Sequence, residues 1–157
     1  MPRFAERRHL PYSPQQLFDL VADVEKYPDF VPSVADAKVL RREGSTVWVD
    51  MVVGTHLLRK RFASKAALDR PGRIDISSRD ALFERYDQHW TFEPAADGGT
   101  VIEFRVDFEF RSRLLQMIMG AYLEDSAKAM VSAFRRRARQ MYGPGKTASA
   151  KPLQPRS

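Results

Sequence analysis

The chain has no cysteine, which excludes disulfides, thiol nucleophiles and Cys-ligated zinc as sources of stability or chemistry. No window approaches the roughly 18 consecutive apolar residues of a membrane-spanning helix. Histidine is scarce. His9, His56 and His89 are the only three, and none stands four residues from another, so no metal site is assigned. The opening Met-Pro-Arg-Phe-Ala-Glu-Arg-Arg lacks the apolar stretch of a secretory signal, and an intracellular protein is the expectation.

What is present describes a packed domain. The 157 residues are 43% apolar and include ten Phe, five Tyr and two Trp, enough to bury a core. The formal net charge is +6, and Lys146, Lys151 and Arg156 carry half of it in a stretch without acidic partners. That favours an anionic surface, lipid or RNA, over a neutral one. Residues 143–157 hold three prolines and a single large aliphatic side chain, too little to offset ordering entropy. The expected organisation is one domain over residues 1–143 and a disordered basic tail over 144–157.

Arg3 to Leu10 reads as a short strand. A helix follows, with Ser13 at the N-cap, Pro14 at the first helical position and Gln16 at the third. Leu17, Leu20, Val21 and Val24 form its apolar stripe. Pro28 and Pro32 then confine Tyr27 to Pro32 to a tight segment, read either as a lid or as a stiff connector. From Ser33 to Phe110 the pattern is six strands, with turns at Gly44-Ser45, Gly54-Thr55, Pro71-Gly72 and Gly98-Gly99. Ile102, Phe104, Val106, Phe108 and Phe110 alternate with polar residues, the signature of a half-buried antiparallel strand. Ser112 caps a last helix running to about Tyr142, where Gly143-Pro144 ends it. Its apolar stripe is Leu115, Ile118, Met119, Tyr122, Leu123, Met130, Phe134, Ala138 and Met141. The fold class is therefore α+β: a curved antiparallel sheet, wet on one face, wrapped around a single long C-terminal helix. Such a helix-grip arrangement encloses space for a ligand.

The run Ser13-Pro14-Gln15-Gln16-Leu17-Phe18-Asp19-Leu20-Val21-Ala22-Asp23-Val24-Glu25-Lys26-Tyr27-Pro28-Asp29-Phe30-Val31-Pro32 resembles the opening motif of the coenzyme Q-binding proteins. These belong to the START-like (SRPBCC) superfamily of polyketide cyclases/dehydrases and lipid-transport proteins. Trp90-Thr91-Phe92, Val106-Asp107-Phe108-Glu109-Phe110 and the ending Ala133-Phe134 to Tyr142-Gly143 add to it, over about residues 3–143. Two stretches depart from the family pattern. Asp80-Ala81-Leu82-Phe83 stands where relatives often have Gly-Pro-Phe, and Ser33-Val34 where they often have a cysteine. The resemblance implies non-catalytic binding of ubiquinone or a related isoprenoid in support of respiratory electron transport or quinone biosynthesis. It also implies kinship with bacterial toxins that block ribosomal subunit association.

Phe30, Val31, Met51, Phe62, Phe83, Trp90, Phe92, Phe104, Phe108, Met119, Tyr122 and Met130 are the candidate pocket residues, with plain core filling as the competing reading. Aromatic faces and flexible thioethers suit a greasy ligand. A pocket of the usual 300–1,000 Å³ or so takes a quinone head and its first isoprene units, not a full tail. Arg135, Arg136, Arg137 and Arg139 are candidates for contact with an anionic membrane or with ribosomal RNA, the competing reading being complementarity to the helix dipole. No residue is assigned to catalysis, because Glu103, Asp107 and Glu109 read as a solvated strand face. No cofactor is expected beyond the bound lipid. The expected partners are that lipid, the acidic surface of the inner membrane as seen from the cytoplasm, enzymes of respiration or quinone biosynthesis, and the ribosome. A small-molecule cyclase or hydrolase is the enzymatic alternative.

Overall fold

A computed structural model describes residues 3–145. The strands are β1 (Arg3–Leu10), β2 (Val34–Glu43), β3 (Thr46–Gly54), β4 (Arg59–Asp69), β5 (Arg73–Ser77), β6 (Phe83–Pro94) and β7 (Thr100–Phe110). The helices are α1 (Pro14–Ala22), α2 (Arg113–Lys128) and α3 (Met130–Tyr142), with a 3₁₀ turn at Val24–Asp29. One antiparallel sheet runs in the order β1-β7-β6-β5-β4-β3-β2. Helix α2 packs on β1 and β7 and also on β3. Those strands lie in opposite halves of the sheet, and only a curved sheet lets one short helix reach both.

Local signals hold where they are strong. Ser13 accepts from the N–H of Gln16, whose side chain accepts from the Ser13 N–H, closing a capping box. All five inward residues of β7 are buried, from Ile102 to Phe110. The basic tail expected over 144–157 falls from residue 146 onward outside the described residues.

The single long helix is corrected. It breaks at Ala129, where φ is −94° and ψ −1°, and the Ala129 N–H is shared among the carbonyls of Asp125, Ser126 and Ala127. Neither proline nor glycine marks the joint, so composition is silent about it. The two halves answer to different partners: α2 lies on β1, β3 and β7, whereas α3 lies on α1 and β1. The expected stripe changes with the break. Ile118 and Met141 are each 55% exposed, while Val131 and Ala133 are buried in their stead.

The strand ends at Val34, Gly54, Arg59, Ser77, Phe83 and Phe110 share one end of the sheet. Helix α2 lies along that end. Near its start the Phe110 N–H donates to Gln116 Oε1 at 2.9 Å, and near its finish Ser126 meets Ser33, the residue before β2.

Candidate functional site

Beneath α2 the inner face of the sheet leaves a chamber of about 80 Å³. Its sheet wall comprises Val49, Met51 and Val53 of β3, Phe62, Ser64 and Ala66 of β4, Ile76 of β5, Phe83, Tyr86 and Gln88 of β6, and Phe104, Val106 and Phe108 of β7. Val24 and Tyr27 of the 3₁₀ turn close one side with Ser33 and Val34; Leu123, Ser126 and Ala127 of α2 and Met130 of α3 form the roof. None of these side chains is a carboxylate, imidazole, guanidinium or ammonium. The polar members are serines, one amide and two phenols.

Both phenols are held protonated. Burial, and then the neighbouring Tyr86 and Asp23, drive Tyr27 above the ordinary phenol range, and its hydroxyl donates to the Val21 carbonyl. Burial pushes Tyr86 up to about 12, against a smaller downward pull from the Gln88 amide.

A second cleft, of about 200 Å³, adjoins the chamber and shares Ser33, Ser126 and Met130 with it. Its outer rim carries Pro32, Tyr122, Asp125 and Arg136. The hydrogen-bonded hydroxyls of Ser33 and Ser126 thus stand between cleft and chamber. The two stretches that depart from the family pattern both have structural duties here. Ser33 forms half of this bridge. Asp80 folds its turn against β4 by accepting from the N–H groups of Ala63 and Leu82.

Of the candidate pocket residues, Met51, Phe62, Phe83, Phe104, Phe108 and Met130 face the chamber. The other six are placed elsewhere. Val31 and Tyr122 line the outer cleft. Phe30 packs edge-on to Phe134 at 5.0 Å under the Arg137 guanidinium. Trp90 is wedged between Phe104 and Phe134, with centroids at 4.5 and 5.3 Å. Phe92 meets Phe18 of α1 at 5.7 Å. Met119 is buried but lines neither cavity. For Trp90 and Phe92 the physical reason is that β6 changes cover along its length: its first half lies under the chamber, whereas Phe92 meets α1 and Trp90 meets α3.

Tyr86, Gln88, Ser64 and Ser126 were missed by sequence reasoning. Tyr86 and Gln88 share the strand parity of Trp90 and Phe92, so alternation carries the signal. Phe83 has the opposite parity and still points inward, because the β6–β7 register shifts between Phe83 and Arg85. Among the arginines, Arg135, Arg136 and Arg139 are exposed. Arg137 is instead half-buried, 3.9 Å from Asp29.

Comparison with known proteins agrees with this geometry. Residues 10–135 match the family described as polyketide cyclase / dehydrase and lipid transport. The ribosome association toxin RatA of Escherichia coli K12 is 30% identical over 142 residues, 90% of each chain. The mitochondrial coenzyme Q-binding protein COQ10 homolog B of Xenopus laevis is 29% identical over 89% of this chain and 59% of its own length. The solution structure of an 18 kDa Caulobacter crescentus protein is 35% identical and superposes with a TM-score of 0.71, over 91% of this chain and 99% of that one.

Proposed function

The chain belongs to the polyketide cyclase/dehydrase and lipid transport family, and from that premise we propose that it is a non-catalytic carrier of ubiquinone or a related isoprenoid. The observation that carries this reading is a chamber walled by apolar side chains with no ionised group on its lining. Such a lining favours an uncharged greasy ligand and offers no general base or metal ligand for turnover. The coenzyme Q-binding name of the frog relative supports the choice of a quinone.

At about 80 Å³ the chamber is smaller than the roughly 300 Å³ at the lower end of ordinary ligand pockets. Loading therefore requires the wall to yield. Met51, Met130 and Leu123 are unbranched or end-branched side chains at the chamber edge, and thioethers repack readily. A quinone head with one or two isoprene units enters, and the rest of the tail follows the outer cleft.

Delivery takes place at an anionic membrane surface. Among the described residues no helix is long and apolar enough to cross a membrane, so contact is peripheral. The outer side of α2 exposes Leu114, Met117 and Ile118 at 64%, 80% and 55%, and the β3–β4 turn presents Leu57 at 84%. Tyr122 and Leu57 flank one crevice with Arg59, which links the two apolar patches. Exposed Arg59, Arg79 and Arg113 stand at the same end of the sheet. Apolar residues ringed by arginine suit an acidic lipid interface. The cargo is then handed to respiratory or quinone-biosynthetic enzymes at the inner membrane.

Mass spectrometry of organic extracts from the purified protein tests the reading. Co-purifying quinone is expected, with saturable quenching of tryptophan fluorescence by a two-isoprene ubiquinone. Empty extracts together with no quenching refute it. A second reading rests on the name of the bacterial relatives and on exposed Arg135, Arg136 and Arg139. Salt-sensitive sedimentation with ribosomes, lost when those three become Gln, would favour it.

A further inference from the structure

The inner face of β6 carries a directed chain of hydrogen bonds. The indole N–H of Trp90, a group that can only donate, reaches Gln88 Oε1 at 2.8 Å. That contact fixes which way the Gln88 amide points. Its Nε2 therefore donates to the Tyr86 hydroxyl oxygen, also at 2.8 Å. The phenol accepts in this bond, so its own proton is left over, and no acceptor for it lies among the described residues. Phe62 and Phe83 hold the ring in place, with centroids at 5.4 and 5.0 Å. The phenol lines the chamber.

We infer that the Tyr86 hydroxyl is the ligand-orienting donor of the chamber, and that it binds a carbonyl or ether oxygen on an otherwise apolar ligand. This rests on the lipid-carrier reading and sharpens it. A donor that is neutral, oriented and desolvated rewards a ligand with one well-placed acceptor. It discriminates against pure hydrocarbon, which leaves the hydroxyl unsatisfied. It also discriminates against a carboxylate, because no cation on the lining offsets burial of the charge. A quinone head fits both conditions. Ser64 is the other hydroxyl on the sheet wall without a described partner, but no hydrogen bond orients it.

The test compares three probes on the full chain. The first is ubiquinone with two isoprene units, the second a benzene ring bearing the same tail and no oxygen, the third a fatty acid of similar length. Each is titrated against the wild type, Tyr86→Phe and Ser64→Ala. Removing one neutral hydrogen bond is expected to weaken quinone binding about three- to tenfold. Binding of the oxygen-free probe to Tyr86→Phe is as tight as to wild type or tighter, because no hydroxyl is then left unsatisfied, which also reports an intact chamber, and Ser64→Ala keeps the wild-type ratio of quinone to hydrocarbon affinity. The wild type binds the fatty acid at pH 8 most weakly of the three. If Tyr86→Phe keeps the wild-type ratio of quinone to hydrocarbon affinity, or Ser64→Ala is the variant that loses it, the inference is overturned while the carrier reading stands. If the wild type binds neither quinone nor hydrocarbon, both fall together.

Discussion

Filling the chamber separates a ligand site from a packing defect, and Ala66→Leu does so with few side effects. Ala66 sits on the inner face of β4, 5% exposed, between Val47 of β3 and Ile76 of β5. Leucine adds three carbons there. At roughly 0.8 kcal/mol per buried methylene the gain is about 2.4 kcal/mol. The cavity gives a second estimate. At roughly 24 cal/mol per Å³, removing about 80 Å³ of void recovers about 2 kcal/mol. Strain from overpacking takes back about 1–3 kcal/mol, so the ligand-free variant should lie within about 1 kcal/mol of wild type in either direction. Urea denaturation reads this as a midpoint close to that of wild type. Quinone affinity, read from tryptophan quenching, should fall at least about tenfold because the volume it needs is gone. Ala63→Leu, on the exposed face of the same strand, is the control and should leave binding alone. A loss of more than about 2 kcal/mol in Ala66→Leu with quinone binding intact would show that the chamber is closed in solution and that the ligand sits elsewhere.

Stability should decline in alkali through Tyr86. Its folded pKa of about 12 lies above the ordinary 10.0, so the protonated phenol contributes stability that is complete below pH 10. That contribution is lost as pH rises to 12, amounting to about 3 kcal/mol over the window. Denaturation at a series of pH values checks this, and Tyr86→Phe should flatten the slope; an unchanged slope refutes the assignment. Replacing Leu114, Met117 and Ile118 together by Gln should reduce co-sedimentation with vesicles containing anionic lipid at least about tenfold, given the apolar area withdrawn from the interface. Quinone binding in detergent should persist, since none of the three lines the chamber. Equal sedimentation of variant and wild type would show that this face does not meet lipid.

How far the sequence disclosed this structure differs from element to element. Strand β7 was legible because five apolar residues alternate with polar ones without interruption, and a one-residue slip would expose all five. The start of α1 was legible because Ser13, Pro14 and Gln16 each favour that position for an independent reason. The break at Ala129 was hidden, since Ala127, Lys128 and Ala129 are all helix-compatible and the bend follows from where α1 and the sheet lie. The stripe on α2 misled for a related reason: the helix is apolar on two sides, so spacing at 3.6 residues selects no unique inner face. Pocket lining was half legible. Large apolar residues on the inner face were identified by type, but which of them border a void depends on the helix lying above each strand segment. The inward-facing polar residues went unread because a Gln or Tyr within an aromatic run is assigned to the wet face unless strand parity is followed through.

The same helix supplies the roof of the chamber and the outer apolar face, and the carrier proposal makes it the way in as well. A ligand entering between strands would have to part a continuous antiparallel ladder, breaking several backbone hydrogen bonds at once. Entry past α2 disturbs far less. Along its 16 residues only Met119, Gly120 and Ala127 are buried, whereas the shorter α3 buries Val131, Ala133, Phe134 and Ala138. At the cleft, the barrier consists of one hydroxyl pair, Ser33 with Ser126, and the side chain of Met130. A single neutral hydrogen bond contributes about 1 kcal/mol net, small beside the apolar burial gained by a ligand's first isoprene unit. The joint at Ala129 lies immediately beyond this bridge, so α2 can shift without dislodging α3 from α1. Because the outer side of α2 is the apolar face at that end of the sheet, the carrier proposal makes the element most easily displaced to admit a lipid also the one that would touch the surface from which the lipid comes.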